Sequence, residues 1–430
     1  MTSAVSHRLL LNGNSLVVGN WKKQVILKFE FKDMNKKFTL VIVLLIVSLS
    51  PVTLYAQNDT LQKGPVYKVG IFAPLYLDSV FNKNTFKYRQ AVPRFIMPAV
   101  DFVQGALIAL DSLQAGEDYI DASVYDTKSY TENIAKLIQN KKLDSLQLII
   151  GSVRDEDFTE LAAFALQKNI PFISATYPNV AGVTENPFLV VMNSTLKSHC
   201  DAIYTYILQN HGSDKIYLCR QKGKQEDMVA SYFKMMNEQD GKPLLPIQVL
   251  NMDDNITAAF LKSKLDSNSR NIIIGGSLDE TFAGNLAKAS YDLYKNYPIT
   301  LIGMPNWDNF SAFFNKKTLA NFPVYFTTPF YTEKSDGFSK SLTTAYFNKY
   351  KSKPTDMAFK GFESVYLFTK LLAKYPDSFM SHISDKNMKI FCEYNFRSVK
   401  QNDNAAIADY FENKHLYLIK ILNGTISRAW

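Results

Sequence analysis

The sequence predicts an α/β protein of two doubly wound parallel-sheet lobes joined by crossover strands. Three observations carry that expectation. From Tyr67 onward, short apolar runs alternate with amphipathic helical segments. The alternation breaks at "ENPFLVVMNS" (185–194) and restarts as a second set of similar size. Most of the runs end in small or polar residues, and open parallel sheets bind ligands at the carboxyl ends of their strands.

The elements follow in order. "YKVGIFAPL" reads as a strand, and "AVDFVQGALIALDSLQAG" as an amphipathic helix closed by Gly116. "DYIDASVYDT", "LQLIIGS" and "IPFISA" read as strands, separated by the helices "NIAKLIQNKKL" and "DFTELAAFALQKN". Strands joined by helices of this length form a parallel sheet covered on both faces. After the break come the strands "KIYLCR", "PIQVLNM", "NIIIGGS" and "ITLIGMP" with helices between them. "VYFTTPFYTE" (324–333) leads into two further helices, and "YLIKILNGTISRAW" closes the chain with an Asn-Gly hairpin signal. The expected division is 1–56 as an N-terminal extension with a signal peptide, 57–194 as the first part of lobe 1 and 195–326 as the first part of lobe 2. The stretch 327–390 returns to lobe 1, and 391–430 is a C-terminal lobe 2 segment with the hairpin.

The formal charge of +8 is concentrated at the N-terminus, where residues 1–56 hold seven Lys/Arg against two acids. The remainder has no long basic run, which gives nucleic acid no electrostatic footprint. "MNKKFTLVIVLLIVSLSPVTLYAQ", from Met34, has two lysines, an apolar run and a small residue before Gln57. That is the layout of a signal peptide cleaved near Ala56, with a membrane anchor as the alternative, though Ser48, Ser50 and Pro51 interrupt the apolar run. Residues 1–33 look like neither a signal nor a fold, so Met34 is the expected start. No lipid-anchoring Cys follows the apolar run, so the expected location is periplasmic. Cys200, Cys219 and Cys392 sit in apolar surroundings and are read as buried thiols, with a Cys200–Cys219 disulfide as the alternative.

Catalysis finds no support. Beyond the signal segment His199, His211, His382 and His415 form no HExxH or close metal pair. Gly151-Ser152 lacks the second glycine of a nucleophile elbow, and there is no phosphate-binding glycine loop. Asp253 and Asp254 are adjacent, so their side chains diverge. No cofactor or metal is called for.

The strand ends are therefore the candidate site: Ser152, then Ser174, Ala175, Thr176 and Tyr177 in the first lobe, and Ser277, Asn306, Trp307 and Asp308 in the second. Ser152 can cap the next helix and contact a ligand at once. Trp307 either stacks on a ligand or packs between the lobes.

These pieces, in this order, resemble the type I periplasmic binding proteins of the branched-chain amino acid-binding kind. "KVGIFAPL" is similar to the family's first strand and "FVQGALIALDSL" to its first helix. "LIIGSVRDE" and "IPFISATYP" are similar to its two ligand loops, and "NPFLVVMNS" to its first lobe crossover. "IIIGGSLDETFAGNLAKA" resembles a second-lobe unit, and "FNKYKSKPTDMAFKGFESVYLF" its aromatic-acidic helix start. The opening segments look closest to a subfamily often fused to peptidoglycan-binding LysM modules; no LysM repeat is found, and the 76–98 insertion is longer than the family's usual loop. The resemblance implies a small-molecule ligand, with its carboxylate on Ser152, Ala175 and Thr176 through hydroxyls and backbone N–H groups, and a membrane permease as partner. It also implies an acid for the ammonium where this chain has Asn306, with Asp308 two residues on. The alternative reading is a cell-envelope interaction protein, associated with peptidoglycan, that keeps the fold without transport.

Overall fold

The computed structural model describes residues 7–12, 15–20, 66–83, 85–88, 92–115, 120–252, 256–402 and 404–430. The signal segment 34–56, the Met34 start, the helix stop at Gly116 and the Asp253-Asp254 pair lie outside the described residues. His7–Asn12 and Ser15–Asn20, within the stretch expected to be without a fold, pair as an antiparallel ladder.

The first set of elements runs β1 (Tyr67–Ala73), α1 (Met97–Ala115), β2 (Ile120–Asp126), α2 (Ile134–Gln139), β3 (Leu148–Gly151), α3 (Asp155–Lys168), β4 (Phe172–Ser174) and β5 (Leu189–Val191). Strands β3, β4 and β5 are buried at every residue. That is why their sequences are continuously apolar: helices cover both faces of a parallel sheet. The second set runs α4 (Leu196–Asn210), β6 (Lys215–Arg220), α5 (Lys224–Met236), β7 (Ile247–Asn251), α6 (Ala258–Lys262), β8 (Asn271–Gly275), α7 (Glu280–Leu293), β9 (Ile299–Ile302) and β10 (Val324–Thr328). The chain ends with α8 (Gly337–Tyr350), α9 (Asp356–Lys374), β11 (Phe396–Val399), β12 (Tyr410–Asn413), β13 (Tyr417–Leu422) and β14 (Thr425–Arg428).

Two seven-stranded sheets result, ordered β11-β12-β5-β4-β3-β1-β2 and β7-β6-β8-β9-β10-β13-β14. All pairs within each sheet are parallel except β11–β12, β10–β13 and β13–β14. The sequence places the whole of 391–430 in the second lobe, and here the structure differs. Strands β11 and β12 extend the first sheet, with β12 parallel to β5, and only β13 and β14 join the second. At the Asn-Gly turn Asn423 and Gly424 both take positive φ, 51° and 73°, the backbone that joins β13 to β14 with Leu422 opposite Thr425.

Three chain crossings join the lobes, β5 to α4, β10 to α8, and β12 to β13, and buried polar groups stitch them together. Ser194 Oγ donates to the Asn413 carbonyl at 2.6 Å. Glu412 accepts from the Thr195 N–H at 2.6 Å, from Ser198 Oγ at 2.8 Å and from Lys414 Nζ at 2.5 Å. Burial alone would raise the Glu412 carboxyl; the Lys414 charge and these donors outweigh it and hold the group below its usual range. His199 Nδ1 lies 2.8 Å from Thr327 Oγ1, and burial lowers this imidazole to about 4, so it is neutral.

Helices α1 and α9 pack with their backbones almost touching. A Cβ on Gly105 would lie 1.9 Å from the Ala358 carbonyl oxygen, and one on Gly361 would lie 1.9 Å from that of Phe102. No flexible side chain is there to yield. Gly105→Ala or Gly361→Ala is therefore expected to cost roughly 1–3 kcal/mol or more by forcing the helices apart. Thermal unfolding followed by circular dichroism should show a midpoint several degrees lower; an unchanged midpoint would refute the close packing.

Candidate functional site

The carboxyl ends of β1 to β5 form one wall. Ser152 Oγ and Thr176 Oγ1, from the ends of neighbouring strands β3 and β4, lie 3.0 Å apart. Asn193 Nδ2, beyond β5, donates to the Thr176 carbonyl at 2.7 Å. Thr127, beyond β2, and Ser174, at the end of β4, are buried, and their hydroxyls have no hydrogen-bond partner among the described residues.

The backbone differs from expectation here. The resemblance implies a ligand carboxylate held by hydroxyls and backbone N–H groups of Ser152, Ala175 and Thr176, two of which have their N–H groups engaged. The parallel ladder instead continues one residue past each strand. Ser152 N donates to the Phe72 carbonyl and Ala175 N to that of Gly151, each at 2.9 Å. Ala175 is 1% exposed and Ser174 fully buried, so the wall is carried by the hydroxyls of Ser152 and Thr176. Ser152 does not cap α3 either, since the cap position is Arg154, without a side-chain bond. Asp155 opens that helix in the left-handed region, at φ 55°, an uncommon conformation for a residue with a side chain. Tyr177 turns back on α3: its hydroxyl donates to Asp155 Oδ1 at 3.3 Å and its ring meets Phe158 edge-on at 5.3 Å.

Asp126, at the end of β2, shapes the loop after β1. Its Oδ1 accepts from the Leu75, Tyr76 and Lys128 amides and its Oδ2 from Leu77, at 2.7–3.0 Å. Burial still raises this carboxyl, against the pull of those four bonds. The clamp fixes where the 76–98 insertion leaves the sheet. Beyond it Tyr76 meets Phe95 edge-on at 5.3 Å, and Phe81, Phe86 and Tyr88 form a chain of rings.

The carboxyl ends of β6 to β9 form the second wall. Ser277 Oγ donates to Glu226 Oε1 at 2.7 Å and accepts from the Asp279 amide at 3.1 Å. Gln221 Nε2 lies 3.3 Å from the same hydroxyl. Glu226 is 7% exposed, in the first turn of α5. Sequence reasoning missed it, because an acid in a helix's first turn reads as a solvated charge. The signal was Gly223: a Cβ there would lie 2.1 Å from Glu226 Oε2, so the glycine makes room for the carboxylate. Asn306 donates through Nδ2 to the Leu278 carbonyl at 2.7 Å, while its Oδ1 is buried without a partner among the described residues.

Trp307 is neither exposed for stacking on a ligand nor packed between the lobes. It is fully buried in the second-lobe core, its ring filling the space that Gly275 and Gly303 leave open. Its Nε1 donates to the Ser277 carbonyl at 3.0 Å. Asp308 is half-buried, and burial raises its carboxyl to about 6, partly offset by the charge of Lys360. Lys360 comes from α9, on the first lobe, and was not singled out by sequence. Its Nζ lies 4.2 Å from the Phe330 ring centroid, and burial lowers it. Opposite charges from the two lobes thus interact across their boundary.

Cys200, Cys219 and Cys392 are free and buried, and Cys200 and Cys219 form no disulfide. Burial pushes the Cys219 thiol up to about 12. Among the described residues no group of His, Cys, Asp and Glu side chains is placed to hold a metal ion.

The family model for periplasmic binding proteins matches residues 97–408. No curated protein matches the chain. An ABC transporter substrate-binding protein from Desulfitobacterium hafniense in complex with Leu is 12% identical, with 85% of this chain and 100% of that one covered and a TM-score of 0.53. A branched-chain amino acid ABC transporter periplasmic ligand-binding protein from Burkholderia xenovorans is 12% identical, with 81% and 95% covered and a TM-score of 0.50. Full-length LpoA from Haemophilus influenzae is 12% identical, with 85% and 59% covered and a TM-score of 0.54. At these identities the likeness is one of fold.

The raised Asp308 carboxyl has a signed consequence. Between about pH 4 and pH 6 the folded protein keeps a proton that the unfolded chain has released, so this group's contribution to stability falls as pH rises through that window. Urea unfolding of the wild type and Asp308→Asn should show a difference that grows from about pH 4 to about pH 6 by roughly 1–3 kcal/mol in favour of the variant, then levels off. A pH-independent difference would refute the assignment.

Proposed function

The chain belongs to the periplasmic binding protein family, and from that premise we propose that it is an exported solute-binding protein holding a small polar ligand between its lobes. The observation that carries the reading is the Ser152–Thr176 hydroxyl pair at adjacent strand ends. Two hydroxyls that bond only one another can turn their remaining donor and acceptor capacity to a ligand's carboxylate, amide or hydroxyl. The ligand is amino acid-like or another anionic or polyhydroxyl solute. Tyr177, Ser277, Asn306 and Asp308 border it, and Glu226 supplies the second-lobe acid that the sequence lacks at 306. Ser174, Ala175 and Trp307 support the walls from behind.

Binding between the lobes favours their closure, and a membrane permease reads the closed form. The N-terminal segment from Met34 directs export and is cleaved near Ala56. The described residues of 66–194, 327–390 and 391–413 build the first lobe, and those of 195–326 and 417–430 the second. The named neighbours among transporter binding proteins support this reading. The 76–98 insertion sits at the cleft mouth.

The protein beginning at Gln57 should be titrated calorimetrically with amino acids, sugars and cell-wall fragments. At least one class should bind, and Ser152→Ala and Thr176→Val should each weaken it by about tenfold. Silence across all classes would overturn the reading. Retention of a peptidoglycan fragment or envelope protein, unchanged in both variants, would favour the envelope role instead.

A further inference from the structure

A cavity of about 550 Å³ lies between α4, the third lobe crossing and the C-terminal strand. Asp201 and Ala202 line it from α4, Lys414 and Leu416 from the crossing, and Arg428 and Trp430 from the chain's end. None of these belongs to either wall of the cleft.

The charges of this cavity are distributed unevenly. Lys414 is spent on Glu412 and Ser198, both in the hinge network. Among the described residues neither Asp201 nor Arg428 stands in an ion pair. Asp201 is half-buried, and burial raises its carboxyl, with Lys414 and Lys197 opposing. The Arg428 guanidinium lies over the Tyr417 ring, 5.2 Å from its centroid, which leaves the N–H groups at its edge free to donate. The indole of Trp430 is 44% exposed and packs against Tyr206 of α4 at 5.5 Å. An acid on one side, a base on the other, neither in an ion pair among the described residues, and an aromatic face beside them form a complementary set, with Lys414 and Lys197 acting on the acid and Glu393 on the base only at longer range.

We propose that this cavity is a second ligand site, distinct from the cleft, for a small zwitterion with an apolar or aromatic side chain. The ligand's ammonium pairs with Asp201, its carboxylate with Arg428, and its side chain lies against Trp430 and Leu416. Because Lys414 is both a wall of this cavity and the partner of Glu412, an occupant bears directly on the hinge. The inference does not depend on the cleft reading.

The probe is L-phenylalanine, titrated into the chain beginning at Gln57 and carrying Ser152→Ala and Thr176→Val, which removes the cleft hydroxyls. Saturation-transfer NMR and Trp fluorescence should both report binding. Phenethylamine, without the carboxylate, and 3-phenylpropionate, without the ammonium, should each bind at least about tenfold more weakly. Ala202→Trp, which fills the cavity, should abolish binding. Arg428→Gln, an exposed substitution that leaves the core untouched, should weaken it by about tenfold while sparing the melting temperature. Absence of binding up to about 10 mM, or binding indifferent to both Ala202→Trp and Arg428→Gln, would overturn the proposal. Binding seen with the wild-type cleft but absent from the Ser152→Ala, Thr176→Val protein would do the same.

Discussion

Glu412 is a carboxylate 1% exposed to solvent, at the point where the chain leaves the first sheet for the second. A charge so placed costs several kcal/mol unless it is paired and hydrogen-bonded. Its partners all come from the lobe connections: Thr195 and Ser198 from the first, Lys414 from the third. Satisfying one carboxylate therefore fixes two chain crossings against each other. Ser194 adds a bond to the Asn413 carbonyl, and His199, kept neutral by burial, ties the first crossing to Thr327 at the end of β10. The lobes are joined by polar groups, whose directional bonds can turn about an axis, while the apolar cores of the two lobes remain separate clusters.

The walls of the cleft depend on these cores. On the second lobe, Gly275 and Gly303 leave the space that the Trp307 ring fills, and the indole N–H then holds the Ser277 carbonyl. A residue at the end of β8 is thus positioned by a side chain beyond the end of β9. On the first lobe, the ladder bonds at Ser152 and Ala175 hold the backbone, and the Ser152 and Thr176 hydroxyls lie 3.0 Å apart. Regular pairing therefore costs the site two N–H donors and leaves it two hydroxyls in fixed register.

Much of this was legible in the sequence, and the failures share a cause. The central strands announced themselves because both their faces are buried, so each is an unbroken apolar run. Strand β12, "YFEN", was invisible: its buried positions include Glu412 and Asn413, whose burial depends on partners more than 200 residues away in sequence. Strand β11, "FRSV", carries exposed polar residues as the sheet's edge and gave no apolar run either. The end of the chain was accordingly assigned whole to the second lobe. At the site, the closeness of Ser152 and Thr176 is legible because small hydroxyl residues ending neighbouring apolar runs are a local pattern. Glu226 and Lys360 were not legible, since a charge on a helix is ordinarily solvated and only tertiary packing reveals that one is covered. Trp307 erred in the opposite direction: a large ring after a strand end reads as cleft-facing unless the glycines that receive it, one of them from another strand, are matched to it.

The proposed placing of the second-lobe acid at 226 instead of 306 is consistent with the geometry of parallel sheets. Neighbouring parallel strands end in one row, so β6 and β8, which are paired, present their following loops side by side. A carboxylate leaving the end of either strand reaches the same region, provided that a glycine clears its path. Gly223 does so for Glu226, and Ser277 receives it. In the proposed reading the charge requirement of the cleft is therefore met from an adjacent strand, while Asn306 turns its amide to the Leu278 carbonyl. Asp308 is poorly suited to the same task, because burial raises its carboxyl to about 6 and the opposite charge that acts on it, Lys360, comes from the other lobe.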